Sequence, residues 1–230
     1  DNEVIPYLQK RFALSDVITY RVLKVADMGE SAVDERIGHL IAGSSNPTVG
    51  ILAHPGQVDV RIAAKASNET EAAKLIAPVE AEVRELLGSR VFAVDEESME
   101  NKVGSLLSRS NKTIAVYEDL TGGLVTGRLL DASHEHVVTG IIGNDITAIQ
   151  RLLAHSSVPE RPEELLSDMG RPTLTAEIAR AIRLQAGADL GLALHGVQDP
   201  NDTAENLGKG RTVISLTDGN ALKSRIYESA

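Results

Sequence analysis

Hydrophobic positions in the first part of the chain repeat with the periods of strands and helices in turn. Alternation with a period of two predicts strands, and apolar residues at three- and four-residue spacing predict helices. The predicted strands are 17–25, 48–53, 58–64 and 90–94, and the predicted helices are 2–12, 31–41 and 69–87. After the first helix the order is β-α-β-β-α-β, which is the split βαβ arrangement of a small ferredoxin-like α+β domain.

The rest of the chain alternates strands with amphipathic helices. The predicted strands are 113–118, 136–142, 189–195, 212–217 and 221–227, and the predicted helices are 99–107, 123–131, 145–154 and 174–186. This alternation is typical of a three-layer α/β domain, and the two strands at the end predict a mixed sheet. Because the acidic stretch 95–97 separates the two patterns, we expect two domains, 1–95 and 96–230.

Residues 113–130, TIAVYEDLTGGLVTGRLL, contain the clearest candidate site. An apolar strand leads into a helix through Thr121, Gly122 and Gly123, and such a turn leaves backbone N–H groups free at the helix N-terminus. Those groups can bind a phosphate or a carboxylate. The alternative is a plain tight turn, in which Thr121 caps the helix and the glycines adopt positive φ.

Composition and charge exclude several classes of protein. The net charge of −10 argues against a nucleic-acid-coating surface, which needs a basic face. The absence of cysteine excludes disulfides and thiolate metal sites. No apolar run approaches bilayer length and no targeting pattern opens the chain, so we expect a soluble, cytoplasmic protein with no membrane partner. His134 and His136 alone are too few ligands for a metal, and we expect neither a metal nor a cofactor.

Four stretches together resemble one protein family. The stretch EDLTGGLVTGRLLD is similar to the AESCTGG…R-L-D signature that opens the C-terminal domain of the CinA family. GRLLDASHEHVVTGIIGND, ADLGLALHGVQDP and GKGRTVISL fall where that family has further landmarks, and the first 95 or so residues look like its middle segment. The resemblance implies a nicotinamide-nucleotide amidase domain, which hydrolyses the carboxamide of nicotinamide mononucleotide to a carboxylate and ammonia, and it implies a homodimer.

The middle segment of the family has been likened to a KH module. A KH module holds nucleic acid with a GxxG loop. Residues 1–95 contain no such loop, and the letters Gly140-Ile141-Ile142-Gly143 lie in a predicted strand of the second domain. We therefore expect no nucleic-acid partner.

The resemblance also places the catalytic positions of the family on this chain. The serine nucleophile falls on Asp119, the assisting tyrosine on Gly140 and the assisting lysine on or near Asp145, so the three catalytic groups of the family are absent. The retained residues are Glu118, Thr121, Gly122, Gly123 and, in the second loop, Gly196, which we expect to bind the ligand. The catalytic residues therefore remain unassigned.

His195 is an alternative catalytic candidate. If the sheet order is that of the family, His195 and Asp119 face one another at the carboxyl edge of the sheet, where a carboxylate–imidazole pair can act as a general base. The other interpretation is that His195 merely ends a strand and Asp119 sits favourably at a helix N-terminus. The acidic stretch 199–205 is expected to form a loop over this edge.

Three functions remain open at this point. The leading one is a CinA-like protein whose amidase domain has lost its serine, tyrosine and lysine and which binds a nucleotide or serves assembly. The second is an active nicotinamide-nucleotide amidase that uses a rearranged set such as Thr121, Asp119 and His195. The third is a structural oligomerisation module of a larger CinA-type protein.

Overall fold

The computed structural model describes residues 3–12, 16–43, 45–143, 146–154, 172–198 and 210–228. These residues belong to two compact units, Asp1–Lys102 and Val103–Ala230. Asp95, the last residue of the first predicted domain, belongs structurally with that unit, because its carboxylate accepts hydrogen bonds from the backbone N–H of Val22 and from the Arg21 guanidinium.

The first unit is an antiparallel sheet with helices packed on it. Its elements are α1 (Val4–Phe12), β1 (Val17–Val25), α2 (Glu30–Gly43), β2 (Thr48–His54), β3 (Gln57–Ala66), α3 (Glu69–Leu87) and β4 (Val91–Val94). The strand order is β2-β3-β1-β4, and all neighbours are antiparallel. This order interleaves two βαβ crossovers, as the split βαβ pattern requires. One core cluster joins the sheet to α2 and α3 through residues such as Leu23, Ile37, Ile62 and Val83, all 0% exposed.

The longest helix, α3, has the bounds that the sequence predicts, because both ends carry strong local signals. The Asn68 side chain accepts a hydrogen bond from the backbone N–H of Glu71, which caps the first turn. At the other end Gly88 has a φ of 59°, a conformation that glycine adopts without strain. Pro78 lies inside the helix, where it removes one backbone hydrogen bond.

The second unit has a mixed five-stranded sheet. Its elements are α4 (Met99–Ser110, which begins just before the division), β5 (Ile114–Glu118), α5 (Leu124–Ser133), β6 (Val137–Ile142), α6 (Ile146–Ala154), α7 (Pro172–Ala186), β7 (Leu190–Gln198), β8 (Gly210–Thr217) and β9 (Leu222–Glu228). The strand order is β6-β5-β7-β8-β9. Both neighbours of β5 are parallel to it, whereas β8 and β9 are antiparallel additions.

Helices lie on both faces of this sheet, which gives three layers. Ala115, Tyr117 and Ala193 pack against residues of α6 and α7 on one face. The alternate residues of the same strands, such as Val116 and Leu194, pack against residues of α4 and α5 on the other. Each face therefore has its own apolar cluster, as alternation along a strand requires. The α/β class that the sequence predicts for this half is confirmed.

One predicted boundary is wrong in a way that bears on the site. The sequence predicts that the seventh strand ends at residue 195, but β7 continues to Gln198. It does so because β8 pairs with it as far as the Gln198–Gly210 pair. His195 and Gly196 therefore lie within a strand rather than at its end. The predicted loop 199–205 lies outside the described residues.

Candidate functional site

The carboxyl ends of β5, β6 and β7 meet at one edge of the second sheet. From β5 the chain passes through α5 to β6 on one side, and it later returns as β7 on the other side, so the strand order reverses at β5. Ligands of open α/β sheets bind at such a reversal, outside the carboxyl ends of the strands. Glu118 pairs with Leu194 across β5 and β7, which brings the next two residues, Asp119 and His195, side by side.

Asp119 connects the end of β5 to β7 through its carboxylate. Its Oδ2 lies 2.8 Å from Nδ1 of His195. Its Oδ1 accepts hydrogen bonds from the backbone N–H of Gly196 at 2.9 Å and of Leu120 at 2.5 Å. The side chains are 13% and 4% exposed for Asp119 and His195. Both oxygens of the carboxylate are therefore engaged in a largely buried pair.

The hydrogen bond to Asp119 determines which nitrogen of the His195 imidazole carries the proton. A carboxylate can only accept hydrogen bonds, so Nδ1 of His195 is the protonated nitrogen that donates to Asp119. In the neutral ring the other nitrogen, Nε2, then carries the lone pair. Nε2 is buried, and no hydrogen-bond partner for it is found in the part of the chain that the structure describes. Among the described residues, His195 thus presents a buried acceptor that no donor uses.

Glu118 occupies the N-terminus of α5, which the sequence predicts to be free for an anion. The side chain is 0% exposed. Its carboxylate accepts from the backbone N–H groups of Val125 and Thr126 and from the hydroxyls of Thr121 and Thr126, at 2.5 to 3.1 Å. Burial raises the pKa of Glu118, but these four hydrogen bonds outweigh it and hold the pKa below the ordinary value of 4.5. Glu118 is thus itself the anion at this helix end.

The turn before α5 differs from the tight-turn alternative as well. Thr121 does not cap the helix, which begins at Leu124 after Gly123. Gly122 and Gly123 have φ values of 59° and 96°, as expected for glycines in such a turn. A Cβ on Gly123 would lie 2.7 Å from Cδ1 of Ile142, the end of an exposed side chain that can move aside, so the positive φ is the main reason for a glycine there.

Two family models match the chain. Residues 20–93 match the damage-inducible protein CinA KH domain, and residues 96–229 match the CinA C-terminal domain. The chain belongs to the CinA family. The first match lies within the first unit, and the C-terminal match covers every element of the second sheet.

Individual relatives agree with this assignment. A CinA-like protein from Kosmotoga olearia is 36% identical over 94% of this chain and 52% of its own length. A relative from Moorella thermoacetica, whose name includes the words "competence-damage inducible protein", is 32% identical over 94% of this chain and 51% of its own length. The chain therefore spans about half the length of these relatives. Among solved structures, a CinA superfamily protein from Escherichia coli is 17% identical, with a TM-score of 0.47 over 57% of this chain and 75% of that one.

At two other positions to which the family resemblance assigns a role, this chain has a glycine and an aspartate in place of the tyrosine and the lysine. Gly140 lies within β6, and a Cβ at that position would overlap the side chain of Thr126 in α5. A tyrosine is therefore excluded at Gly140 unless Thr126 moves. Asp145, the position assigned to the lysine, lies outside the described residues. At Gly196 the space of a side chain is filled by Leu120.

The sequence did not single out Thr126 and Leu120 as site residues. Thr126 supplies both a hydroxyl and a backbone N–H to Glu118, and Leu120 covers Gly196. The sequence does contain a signal for Thr126, since it is a threonine in the first turn of a helix that follows a glutamate at the end of a strand. The hydroxyl and N–H of such a threonine can donate to that glutamate. No comparable signal exists for Leu120, since its partner is distant in sequence.

His134 and His136 lie in a short 3-10 helix, His134–His136. Across the described ranges, no three His, Asp or Glu side chains come together as metal ligands. In the same residues, no helix has both the length and the apolarity that crossing a bilayer requires.

Proposed function

We propose that the C-terminal domain binds a nicotinamide nucleotide at the carboxyl edge of β5 and β7 and has no serine-based, covalent route for hydrolysing it. The family gives the ligand class by resemblance, and the observation that carries the rest is the engagement of Asp119. This residue stands at the nucleophile position, and its two oxygens already accept hydrogen bonds from Leu120, Gly196 and His195. A carboxylate held in this way is a structural and orienting group rather than a nucleophile.

The charges at the edge indicate which end of the ligand lies there. Glu118 already takes the N–H groups of Val125 and Thr126, and Asp119 adds a second carboxylate beside it. A phosphate at this turn would meet two negative charges and few free donors. The uncharged carboxamide suits the Asp119–His195 pair better, because it brings no further negative charge beside the Asp119 carboxylate.

Calorimetry on the 230-residue chain tests this proposal. We expect nicotinamide mononucleotide to bind, and we expect the phosphate-free nicotinamide riboside to bind within about tenfold, which is 1.4 kcal/mol. Nicotinate mononucleotide, which has a carboxylate in place of the carboxamide, is expected to bind more weakly because of the two acidic side chains. The proposal would be contradicted if calorimetry detected no binding of either nicotinamide mononucleotide or nicotinamide riboside. It would also be contradicted if the riboside bound far more than tenfold more weakly than the mononucleotide.

A second candidate function, assembly of two copies, is favoured by the outer strands of this sheet. Leu222, Ile226 and Tyr227, on the edge strand β9, are 41–49% exposed. Apolar residues on an edge strand are suited to cover by another chain. Light scattering with size-exclusion chromatography is expected to give a dimer mass for the wild type and a monomer mass for Ile226→Asp. A monomeric wild type would exclude this function.

A further inference from the structure

We propose that His195 is a general base that activates a water molecule to hydrolyse the carboxamide of the bound ligand directly, with Asp119 as its positioning residue. This inference rests on the proposed function, because it takes the ligand and its orientation from there. It differs from the serine mechanism that the family resemblance implies, since no bond between protein and substrate forms.

Hydrogen bonds fix the orientation of the His195 imidazole. The 2.8 Å hydrogen bond from Nδ1 to Oδ2 of Asp119 holds the ring and its tautomer, and the backbone N–H of Gly196 holds the carboxylate in turn. A general base needs both features, because its lone pair must point at the proton that it removes. The carboxylate also stabilises the imidazolium that forms when Nε2 takes a proton.

Nε2 of His195 is buried and lacks a hydrogen-bond partner among the described residues. Buried ring nitrogens are almost always hydrogen-bonded. His195 has a side chain that is only 4% exposed, and its Nε2 has no partner among the residues that the structure describes. The other ring nitrogen is fully used by Asp119. The orphaned atom is therefore the one that a catalytic base needs, at the edge where ligands bind in this class of sheet.

The turn between β5 and α5 offers backbone N–H donors close to Asp119. The backbone N–H groups of Gly122, Leu124, Val125 and Thr126 all donate to atoms of residues 118–121. For the N–H groups of Thr121 and Gly123, no acceptor is found within the described ranges. These two donors are close to Asp119 in the chain and are suited to stabilise a developing oxyanion.

The hydroxyl of Thr121 does not offer a covalent alternative. It donates at 2.5 Å to Oε2 of Glu118, on the face of β5 opposite to Asp119. A hydroxyl that is held by a buried carboxylate in this way lies away from the His195 base. The hydroxyl of Thr126 is held by Glu118 as well, so neither threonine of the described turn is a free nucleophile, and the proposal uses water instead.

The reaction balances without a further reactant. The water oxygen adds to the carboxamide carbon, and one water proton passes to Nε2. The carbon–nitrogen bond then breaks while that proton passes from Nε2 to the leaving nitrogen. Ammonia leaves, and the remaining carboxylic acid loses its proton, so that the products are a carboxylate and ammonium. The carboxylate product lies beside Asp119, whose negative charge favours its release.

The test measures ammonia release from nicotinamide mononucleotide by the 230-residue chain, beside binding by calorimetry. We expect turnover in the wild type and a loss of at least about 100-fold in kcat for His195→Ala, with binding retained. Asp119→Asn is expected to lower kcat by at least about tenfold with a much smaller change in KM, because an amide in place of the carboxylate no longer fixes the tautomer. His134→Ala, an exposed histidine of the same domain, is the matched control and is expected to match the wild type.

Chemical rescue separates catalysis from a structural role. Added imidazole is expected to restore part of the turnover of His195→Ala, provided that the variant melts cooperatively, and His195→Gln serves as a second variant if it does not. Binding without ammonia release in the wild type would overturn this inference and leave the proposed function intact. Turnover that survives both His195 substitutions would overturn it equally, and so would mass-spectrometric detection of an acylated protein during turnover.

Discussion

At the scale of single residues, the adjacent carboxylates of Glu118 and Asp119 have different roles because they project from opposite faces of the sheet. Glu118 lies on the face of α5 and is 0% exposed, where it satisfies the helix N-terminus. Asp119 lies on the other face and holds His195. Strand alternation separates them, so that one stabilises the fold and the other shapes the candidate site.

Glu118→Gln is expected to lower the free energy of unfolding by about 2–4 kcal/mol at pH 7, because the amide nitrogen cannot accept from the helix N–H groups. The pKa of Glu118 is held below 4.5 in the folded state, so its stabilisation is present above that pH and is lost as the pH falls through the folded pKa. Urea unfolding should show the gap between wild type and variant narrowing in acid. Glu135→Gln, an exposed substitution, should show no gap at either pH.

Asp119→Ser is expected to leave the affinity for nicotinamide mononucleotide relative to nicotinamide riboside unchanged within about threefold, because the proposed orientation places the carboxamide, and not the phosphate, beside Asp119. The ratio of the two affinities, measured by calorimetry, isolates the phosphate from other effects of the substitution. Asp131→Ser on the exposed side of α5 is the control. A ratio that rises well above threefold would place the phosphate beside Asp119 and would contradict the proposed orientation.

At the scale of elements, the start of α5 shows how one helix end is built from three parts of the chain. Gly122 and Gly123 give the turn its positive φ values, and the carboxylate of Glu118 accepts hydrogen bonds from the first N–H groups of the helix. Ile142 of β6 packs beside Gly123. Glycines at different points of this element therefore have opposite consequences for stability.

Gly123→Ala and Gly127→Ala are expected to change stability in opposite directions. The first forces alanine to a φ of 96° and against Ile142, so we expect a loss of about 1–3 kcal/mol. The second lies inside α5 with no atom within 4 Å of the new Cβ, so we expect a gain of about 0.5–1 kcal/mol. Urea denaturation of both variants checks this pair, and effects of the same sign would contradict it.

Pro78→Ala is expected to stabilise the first unit by about 1–3 kcal/mol, because alanine restores a backbone hydrogen bond inside α3 and relieves the ring clash. Pro78 is exposed, so no packing is lost. The thermal midpoint of the transition that belongs to this unit should rise. A midpoint that stays the same or falls would mean that the helix is already adapted to the proline.

At the scale of the whole molecule, the chain contains separate apolar cores. One cluster uses buried residues of the first sheet with α2 and α3, and two further clusters cover the two faces of the second sheet. A unit with its own core can fold by itself.

Residues 1–95 and residues 96–230, produced separately, are each expected to fold. Circular dichroism should show a cooperative thermal transition for each fragment. A fragment that remains unfolded would mean that the division we propose after Asp95 is misplaced, and a second pair cut after residue 102 would then locate it.

Most of the secondary structure could be predicted from the sequence, because its signals are local. The bounds of α3 follow from Asn68 and Gly88, and the bounds of β1 follow from period-two alternation over Val17–Val25. The end of β7 could not be predicted, because it depends on pairing with β8. The contacts of Glu118 could not be predicted either, because the sequence does not show that its carboxylate folds back onto α5.

The sequence by itself determined the order of elements, the two-domain pattern and membership in the CinA family, since these depend on periodicity and on contiguous motifs. Only the tertiary structure decided that Asp119 and His195 form a hydrogen-bonded pair and that Glu118 fills the helix end. The physical reason is the separation along the chain. The pair joins residues 76 positions apart through the parallel register of β5 and β7, and that register arises from packing of the whole sheet rather than from any local signal.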